Sequence, residues 1–294
     1  MSYFHLNLIL KGKLTVCCLL MLPAIPLNAQ REAKQIGDFK ESISLNEHLR
    51  GTKRTLQYRP DGDEFVCVNG KNRYTRALYG SHSPFRVETS DRPVFAFYNN
   101  GRGGNISFKV ILRDGTELAL DCTGHCESRY SAGKRTYYLT DPSWGKGELR
   151  ISVLALADMD GAIWRFSPSN MPKGAILRWQ HGGATGKRLS RNGDMGVDPA
   201  DCFELPAEAT DLVTGELSLQ KEVYLVRGEV SEGYNVRKLY QQAEAASLVL
   251  ASHLKIETPD PYLNTLGGAL VAAADGIWDG QVWLHGAIGW RKIG

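Results

Sequence analysis

Apolar and polar residues alternate in short runs from about residue 52 to residue 230, which is the pattern of β-strands. One run, 106–112, reaches Asp114-Gly115 and is followed by a second run, 117–120. Asp-Gly between two such runs predicts a hairpin, because both residues accept the backbone angles of a tight turn. The other predicted strands are 64–68, 73–79, 94–98, 136–139, 149–157, 162–166, 175–180 and 216–226.

Two further hairpins are predicted by their turn residues. Asn69-Gly70 separates the runs 64–68 and 73–79, and Asn-Gly is a strong hairpin signal. The run 149–157 turns near Asp160-Gly161 in the same way. Many strands at hairpin spacing predict antiparallel sheets, and their total length favours a mainly β protein with a large β-sandwich.

The pattern becomes helical after Gly233. Residues 236–254 contain neither Gly nor Pro, and their apolar positions recur at the spacing of an amphipathic helix. The segment 257–261, which contains two prolines, ends this helix. A second helix with an apolar face is predicted from near Tyr262 toward Gly276.

The N-terminal segment has the features of a secretory signal peptide. Lys11 and Lys13 supply positive charge, and the apolar run 14–22 is too short to span a bilayer. Ala29 offers a small residue for cleavage, so residues 1–29 are predicted to be removed. The mature protein is then expected to be secreted or periplasmic, without a membrane-spanning segment.

Composition is that of an ordinary globular protein. The chain has 294 residues, 43 % of them hydrophobic, and 31 glycines, which suits short strands joined by turns. It has 35 Lys and Arg against 32 Asp and Glu, and the resulting net charge of +3 is too small to predict a nucleic-acid partner.

The cysteines outside the predicted signal peptide are Cys67, Cys122, Cys126 and Cys202. In an oxidising compartment four cysteines allow three pairings, and the sequence does not choose among them. Cys122 and Cys126 could close a small disulfide loop or, with His125, supply metal ligands, but no second cluster completes a tetrahedral site. Buried free thiols are an equal alternative, so neither a metal nor another cofactor is predicted.

One basic segment resembles a phosphate loop without matching it. Residues 182–187 have the wrong glycine spacing, and Arg188 stands where Ser or Thr is needed. We therefore interpret residues 184–195 as a surface loop with solvated Lys187, Arg188 and Arg191. Contact between these cations and an anionic sugar is the alternative.

Aromatic and polar residues cluster near the C-terminal end of the sequence. Aromatic rings stack on the C–H faces of sugars, while Asp, Asn, His and Arg hydrogen-bond to hydroxyl groups. The alternative is an ordinary helical core with polar caps. The predicted substrate-binding residues are Asp260, Asn264, Trp278, Trp283, His285, Trp290 and Arg291.

The same region carries a resemblance to a known family. The stretch 258–291, with Ala-Ala-Asp-Gly-Ile-Trp278 and Val-Trp-Leu-His-Gly-Ala-Ile-Gly-Trp-Arg291, resembles the start of a six-hairpin, (α/α)6 glycosidase-like domain. The stretch 74–97 resembles the sandwich part of the same group, an uncharacterised family of secreted bacterial proteins from polysaccharide degraders. The resemblance implies a sandwich over 30–235, a linker helix over 236–255 and the first helical hairpin over 256–294.

The resemblance also implies a function. A six-hairpin domain needs several hundred residues, so the chain is expected to be the N-terminal fragment of a glycoside hydrolase-like protein acting on polysaccharide or oligosaccharide. Glycosidases use two carboxylates, and no residue here can be assigned as catalytic. A stand-alone carbohydrate-binding sandwich and an envelope scaffold are the alternatives. If the helical partners are missing, residues 260–294 should be weakly protected from hydrogen exchange.

Overall fold

The computed structural model describes residues 57–83, 85–99, 102–188, 212–230, 233–278, 280–284 and 292–293. The predicted signal peptide and Cys202 lie outside these residues. The strands are β1 Arg59–Asp61, β2 Glu64–Val68, β3 Arg76–Leu78, β4 Arg86–Thr89, β5 Phe95–Asn99, β6 Arg102–Ile111, β7 Glu117–Ala119, β8 His125–Ser131, β9 Lys134–Thr140, β10 Glu148–Ala155, β11 Gly161–Ser169, β12 Ile176–Arg188, β13 Val213–Ser218, β14 Val223–Gly228, β15 Trp283–Leu284 and β16 Lys292–Ile293. The helices are α1 Val236–Ala251 and α2 Pro261–Gly276.

Two antiparallel sheets of seven strands make up most of the described chain. The first sheet has the order β1-β2-β8-β9-β10-β11-β14. The second has the order β13-β12-β6-β5-β4-β3, and β7 pairs with β6. The prediction of a mainly β, antiparallel fold is therefore confirmed.

Aromatic residues from both sheets form the centre of the core. Phe95 of the second sheet makes edge-to-face contacts with Tyr137 and Trp164 of the first, each with ring centroids 5.7 Å apart. Such pairs add directional contacts to the apolar area that they bury. Because all three side chains are fully buried, the sheets pack face to face as a sandwich.

The hairpins around Asp114-Gly115 and Asp160-Gly161 are confirmed by the pairing of β6 with β7 and β10 with β11. The hairpin predicted at Asn69-Gly70 is wrong, because β2 pairs with β8 and β3 belongs to the other sheet. Asn69 has the left-handed backbone of a turn, but its amide and side chain bond to the backbone of Cys126. The chain therefore crosses between the sheets at this point.

Two other segments also differ from their predictions. The run 216–226 is divided between β13 and β14, which lie in different sheets. The prediction of a loop over 184–195 is wrong for its first part, because β12 continues to Arg188. Both errors arise from long-range pairing, which alternation within a single strand does not report.

Both predicted helices are confirmed, and both pack on the sandwich. Leu239 and Tyr240 of α1 pack with Leu154 and Ile163 on the outer face of the first sheet. Tyr262, Leu266 and Ala269 of α2 are partly buried against the main core. Because α2 has packing partners, it does not lack the contacts whose absence was expected, and weak protection over 260–294 stays a prediction for hydrogen exchange.

The larger helical domain is a separate question. The described residues contain two α-helices, so the (α/α)6 domain stays a prediction. Neither of these helices is long and apolar enough to cross a membrane. Large apolar side chains remain exposed on the two helices, among them Leu248, Val249, Leu263 and Leu270.

The described cysteines are free thiols. Cys67 and Cys126 are buried and Cys122 is exposed, so the structure does not contain the disulfide loop considered for Cys122 and Cys126. Burial raises the pKa of the Cys126 thiol to about 12, which keeps it protonated and unreactive. Among the described residues no group of His, Cys, Asp and Glu side chains is arranged to hold a metal ion.

An ion-pair network ties α1 to the first sheet and makes stability depend on pH. Glu222 accepts hydrogen bonds from Arg165, Tyr224 and Arg237 of α1. Burial alone would raise the pKa of Glu222, but the hydrogen bonds from Tyr224 and Arg165 outweigh it and lower this pKa. The contribution of the carboxylate is therefore fully present above the unfolded-state pKa of about 4.3 and is lost as pH falls through the lowered folded-state pKa.

We expect Glu222→Gln to lower the free energy of unfolding by about 1 kcal/mol at neutral pH. The difference from the unmodified protein should disappear under acidic conditions, where both side chains are neutral. Urea titrations at several pH values measure it, and Glu229→Gln, at an exposed position, is the control. A difference that persists unchanged at acidic pH would contradict this role.

Candidate functional site

The structure does not bring the predicted sugar-binding residues together at one place. Asp260 and Asn264 lie at the start of α2, whereas Trp278 and Trp283 lie beyond its end. A helix rises 1.5 Å per residue, so α2 separates the two groups by roughly 25 Å. His285, Trp290 and Arg291 lie outside the described residues, and their role stays a prediction.

Asp260 and Asn264 have structural partners at the N-terminus of α2. The Asp260 carboxylate accepts from the Tyr262 amide at 2.8 Å, which is the bond of an N-cap residue. Asn264 Oδ1 accepts from the Thr258 amide at 2.7 Å, and Asn264 Nδ2 donates to the Thr258 carbonyl. These bonds use the groups that a sugar would need, so the structure favours a capping role at this end of the helix.

Trp278 and Trp283 form an aromatic pair just beyond the C-terminus of α2. Their ring centroids are 4.7 Å apart, the planes are tilted by 52°, and an isolated antiparallel bridge joins the two residues. Gly280, with a φ of 94°, allows the tight turn between them. Trp283 is 50 % exposed, so about half of this large residue is accessible to solvent. We call Trp278 and Trp283 the Trp pair.

A cleft of about 350 Å³ lies within one helical turn of the Trp pair. Asp275 lines this cleft, and its carbonyl accepts from the Trp278 amide at 3.0 Å. The cleft lies where α1 and α2 meet the loop after β3 and the end of β10. The polar residues on its wall are Tyr79, His82, Tyr130, Asp158, Ser247, His253 and Asp275.

Close packing at glycines shapes one wall of this cleft. A Cβ at Gly80 would lie 1.7 Å from the Leu156 carbonyl oxygen, so only glycine lets the loop after β3 approach the end of β10. A Cβ at Gly276 would lie 2.2 Å from the Tyr79 ring, so this ring lies directly against the end of α2. Glycine at positions 80 and 276 therefore allows the loop after β3 to lie close to the end of β10 and to the end of α2.

The loop brings His82 to Asp275. Ser81 and Ser83 both donate hydrogen bonds to Asp160 Oδ1, which fixes the loop on either side of His82. His82 Nε2 lies 3.3 Å from Asp275 Oδ1 and donates to this carboxylate. The two side chains are 51 % and 37 % exposed, so the pair is accessible to a ligand in the cleft.

Two tyrosines, Tyr79 and Tyr130, also line the cleft. Burial raises the pKa of Tyr79, and the nearby Glu88 carboxylate adds to the effect. Burial also raises the pKa of Tyr130. Both hydroxyls therefore stay neutral at physiological pH and keep a proton that they can donate.

This arrangement is suited to binding a polyhydroxylated molecule. A His-Asp pair and neutral hydroxyls can hydrogen-bond to ligand hydroxyl groups, and the exposed ring can stack on an apolar face. The sequence analysis named Trp278 and Trp283 as separate candidates, and it did not pair His82 with Asp275, which lie 193 positions apart. No local pattern could have joined two residues at that separation.

The similarity to known proteins lies in the sandwich and α1. A family model was matched over β6–β14 and the first half of α1. Residues 100–244 match the model of DUF4450, a domain of unknown function. The matched residues include Tyr130 and Asp158 of the cleft, whereas His82, Asp275 and the Trp pair lie outside them. No curated protein matches the chain.

Proposed function

We propose that this chain is the carbohydrate-binding N-terminal part of a secreted glycoside hydrolase-like protein. A saccharide ring stacks on the Trp pair, and its hydroxyl groups enter the cleft of His82 and Asp275. The Trp pair carries the proposal, because an exposed, paired indole surface beside a polar cleft is the arrangement that saccharide recognition needs.

The stacking step requires an accessible and rigid ring. Trp283 is half exposed, while contact with Trp278 and the bridge between the two residues hold its orientation. A preorganised ring loses little conformational freedom when the ligand binds. The Trp pair thus meets the physical requirement for stacking on the C–H face of a pyranose.

The hydrogen-bonding groups of the proposed site line the cleft, about one helical turn from Trp278. Asp275 accepts from His82 and keeps further acceptor capacity, because an ionised carboxylate has about four lone-pair sites. Tyr79 and Tyr130 add donors whose protons are retained at neutral pH. The cleft volume of about 350 Å³ falls at the small end of the range for ligand sites.

Bond cleavage is not assigned to any residue. Glycoside hydrolysis needs an acid and a second carboxylate that flank the scissile bond. Asp158 and Asp275 line the same cleft, but Asp275 is paired with His82. A stand-alone carbohydrate-binding protein would use the same surface, and release of reducing ends from a bound polysaccharide distinguishes the two.

The experiment compares Trp283→Ala with the unmodified full chain in affinity electrophoresis and calorimetry on a panel of neutral and acidic polysaccharides. We expect a loss of affinity of about tenfold, because one stacking surface is removed. Tyr234→Ala is the matched control, because Tyr234 is also 50 % exposed but precedes α1, whereas the cleft is lined by the C-terminal half of α1.

Two results would count against the proposal. One is equal affinity of the Trp283→Ala and Tyr234→Ala proteins for the polysaccharide that binds best. The other is the absence of binding to every saccharide tested by a protein that unfolds cooperatively. A loss at Trp283 alone, with Tyr234→Ala unchanged, would support the Trp pair as the platform.

A further inference from the structure

A second and larger cavity lies on the sandwich. It has a volume of about 510 Å³ and forms where the segment before β3 and the β4–β5 connection meet β6 and β7. None of its described lining residues is shared with the cleft beside the Trp pair. We call it the basic cavity, because its described lining includes Lys71, Arg73, Arg92 and Lys109.

We propose that the basic cavity binds a saccharide unit that carries a carboxylate or a sulfate group. The saccharide part of this assignment rests on the proposed function, whereas the anionic part rests on the charges that line the cavity. The effect of ligand charge and of protein charge on affinity can therefore be tested separately from saccharide binding itself.

The cavity has an excess of positive charge. Four basic side chains line it, and Asp121 is the one carboxylate among its described lining residues. A concave surface lined mainly by one sign of charge concentrates the field and attracts ions of the opposite sign. The small net charge of the whole chain conceals this local excess.

The positive charge of Arg92 is held in place without being neutralised. Its Nη1 donates to the carbonyl oxygens of Asp121 and Thr123 at 3.0 and 2.8 Å, and its Nη2 donates to Asn69 Oδ1 at 3.3 Å. All of these acceptors are uncharged. They fix the guanidinium at the cavity wall and leave its charge available to an anion.

The two lysines are the adaptable cations of the cavity. Lys71 is exposed and makes no ion pair with another of the described residues. Lys109 lies 3.4 Å from Glu117, but Glu117 also pairs with Arg178 at the shorter distance of 2.9 Å. Exposed pairs of this kind contribute little, so Lys109 can move to a bound anion at small cost.

The segment that carries Lys71 is fixed before any ligand binds. Asp91 accepts from the Asn72 amide at 2.9 Å, and the Asp91 amide donates to the Asn72 carbonyl at 2.9 Å. Asp91 is fully buried, so this connection is shielded from water. A cation on a fixed backbone loses less conformational freedom on binding, which favours affinity.

The same lining favours a sugar acid over a nucleic acid. Bases in single-stranded nucleic acids stack on exposed aromatic faces. The aromatic residues of the cavity, Phe95 and Phe108, are 0 % and 2 % exposed and offer no such face. The exposed Ser107 and Asn72 offer hydroxyl and amide groups that suit the hydroxyls of a saccharide.

The test uses calorimetry on the full chain with trigalacturonate and its methyl ester, which has the same hydroxyl groups but no charge. A sulfated oligosaccharide and inorganic phosphate are the other probes. We expect trigalacturonate or the sulfated sugar to bind at least about tenfold more tightly than the neutral ester, and the advantage to shrink as salt rises from about 0.05 to about 0.5 M.

The variant with Lys71→Gln and Lys109→Gln should lose about tenfold in affinity for the anionic sugar and little for the neutral ester. The control, Lys173→Gln with Lys221→Gln, removes the same charge at exposed positions outside the cavity and should change affinity less than about twofold. Trp283→Ala should leave the dependence on salt unchanged.

Different failures lead to different conclusions. Equal binding of trigalacturonate and its ester, with Trp283→Ala still weakening both, would overturn the basic cavity and leave the proposed function standing. Absence of binding to every saccharide would overturn both. Phosphate binding as tight as that of the anionic sugar would overturn the saccharide assignment. If the two double-lysine variants lost affinity for the anionic sugar equally, the sugar would not be bound at the basic cavity.

Discussion

Replacing Asp91 with alanine is expected to lower the free energy of unfolding by about 3–5 kcal/mol. The Asp91 side chain is fully buried, and Oδ1 lies 3.5 Å from Nη2 of Arg135, which is itself 1 % exposed. Removing the carboxylate would leave the guanidinium buried without its counter-charge. Arg135 also donates to the buried Ser128 hydroxyl, a neutral group that cannot replace the lost charge.

The same substitution should loosen one wall of the basic cavity. Asp91 accepts hydrogen bonds from the Tyr58 hydroxyl and the Asn72 amide, and Asn72 lines that cavity. Both bonds disappear in Asp91→Ala. We therefore expect weaker binding of an anionic saccharide in addition to the loss of stability.

Urea unfolding followed by tryptophan fluorescence measures the effect. Asp91→Asn, which keeps the shape and some acceptor capacity, should lose less stability than Asp91→Ala. Asp63→Asn, at an exposed position, should change stability by less than about 0.5 kcal/mol. A loss below about 1 kcal/mol in Asp91→Ala would show that the carboxylate does not compensate a buried charge.

Gly80→Ala is expected to lower the free energy of unfolding by about 3 kcal/mol, the upper part of the usual range for overpacking. The new Cβ would meet the Leu156 carbonyl oxygen at 1.7 Å, and this atom belongs to the backbone at the end of β10. A backbone atom cannot rotate away as a side chain can. The loop after β3 must therefore move as a unit.

Movement of this loop would separate His82 from Asp275. Gly80→Ala should consequently weaken saccharide binding at the cleft more than it changes binding at the basic cavity. Gly124→Ala is the control, because its nearest contact is a side-chain atom, Pro142 Cδ, at 3.2 Å. Urea unfolding and calorimetry with a neutral oligosaccharide provide the two readouts. Equal stability of both variants would contradict the close approach at Gly80.

Local signals predicted much of the fold. The turns at Asp114-Gly115 and Asp160-Gly161 join strands that are neighbours in sequence, so turn chemistry and alternation were sufficient there. Both helices follow from apolar spacing and from the prolines between them. In each case the deciding interactions lie within about twenty residues.

Local signals failed where a distant partner decides the outcome. Asn69-Gly70 has the composition of a hairpin turn, yet the bonds from Asn69 to Cys126 direct the chain into the other sheet. Asp260 was interpreted as a sugar ligand, although Asp before Pro261 is also the usual start of a helix. The capping signal was present, but the cluster of aromatic and polar residues near the C-terminal end predicted another role for Asp260 and Asn264.

The sequence by itself determined the antiparallel β character and the two helices, because periodicity and turn residues act over short distances. Only the tertiary structure decided that His82 meets Asp275 and that Lys71, Arg92 and Lys109 line one cavity. These residues come from different loops and strands, and long-range sheet pairing and close contacts such as that at Gly80 bring them together. Such contacts depend on the packed chain as a whole, so no single segment of the sequence encodes them.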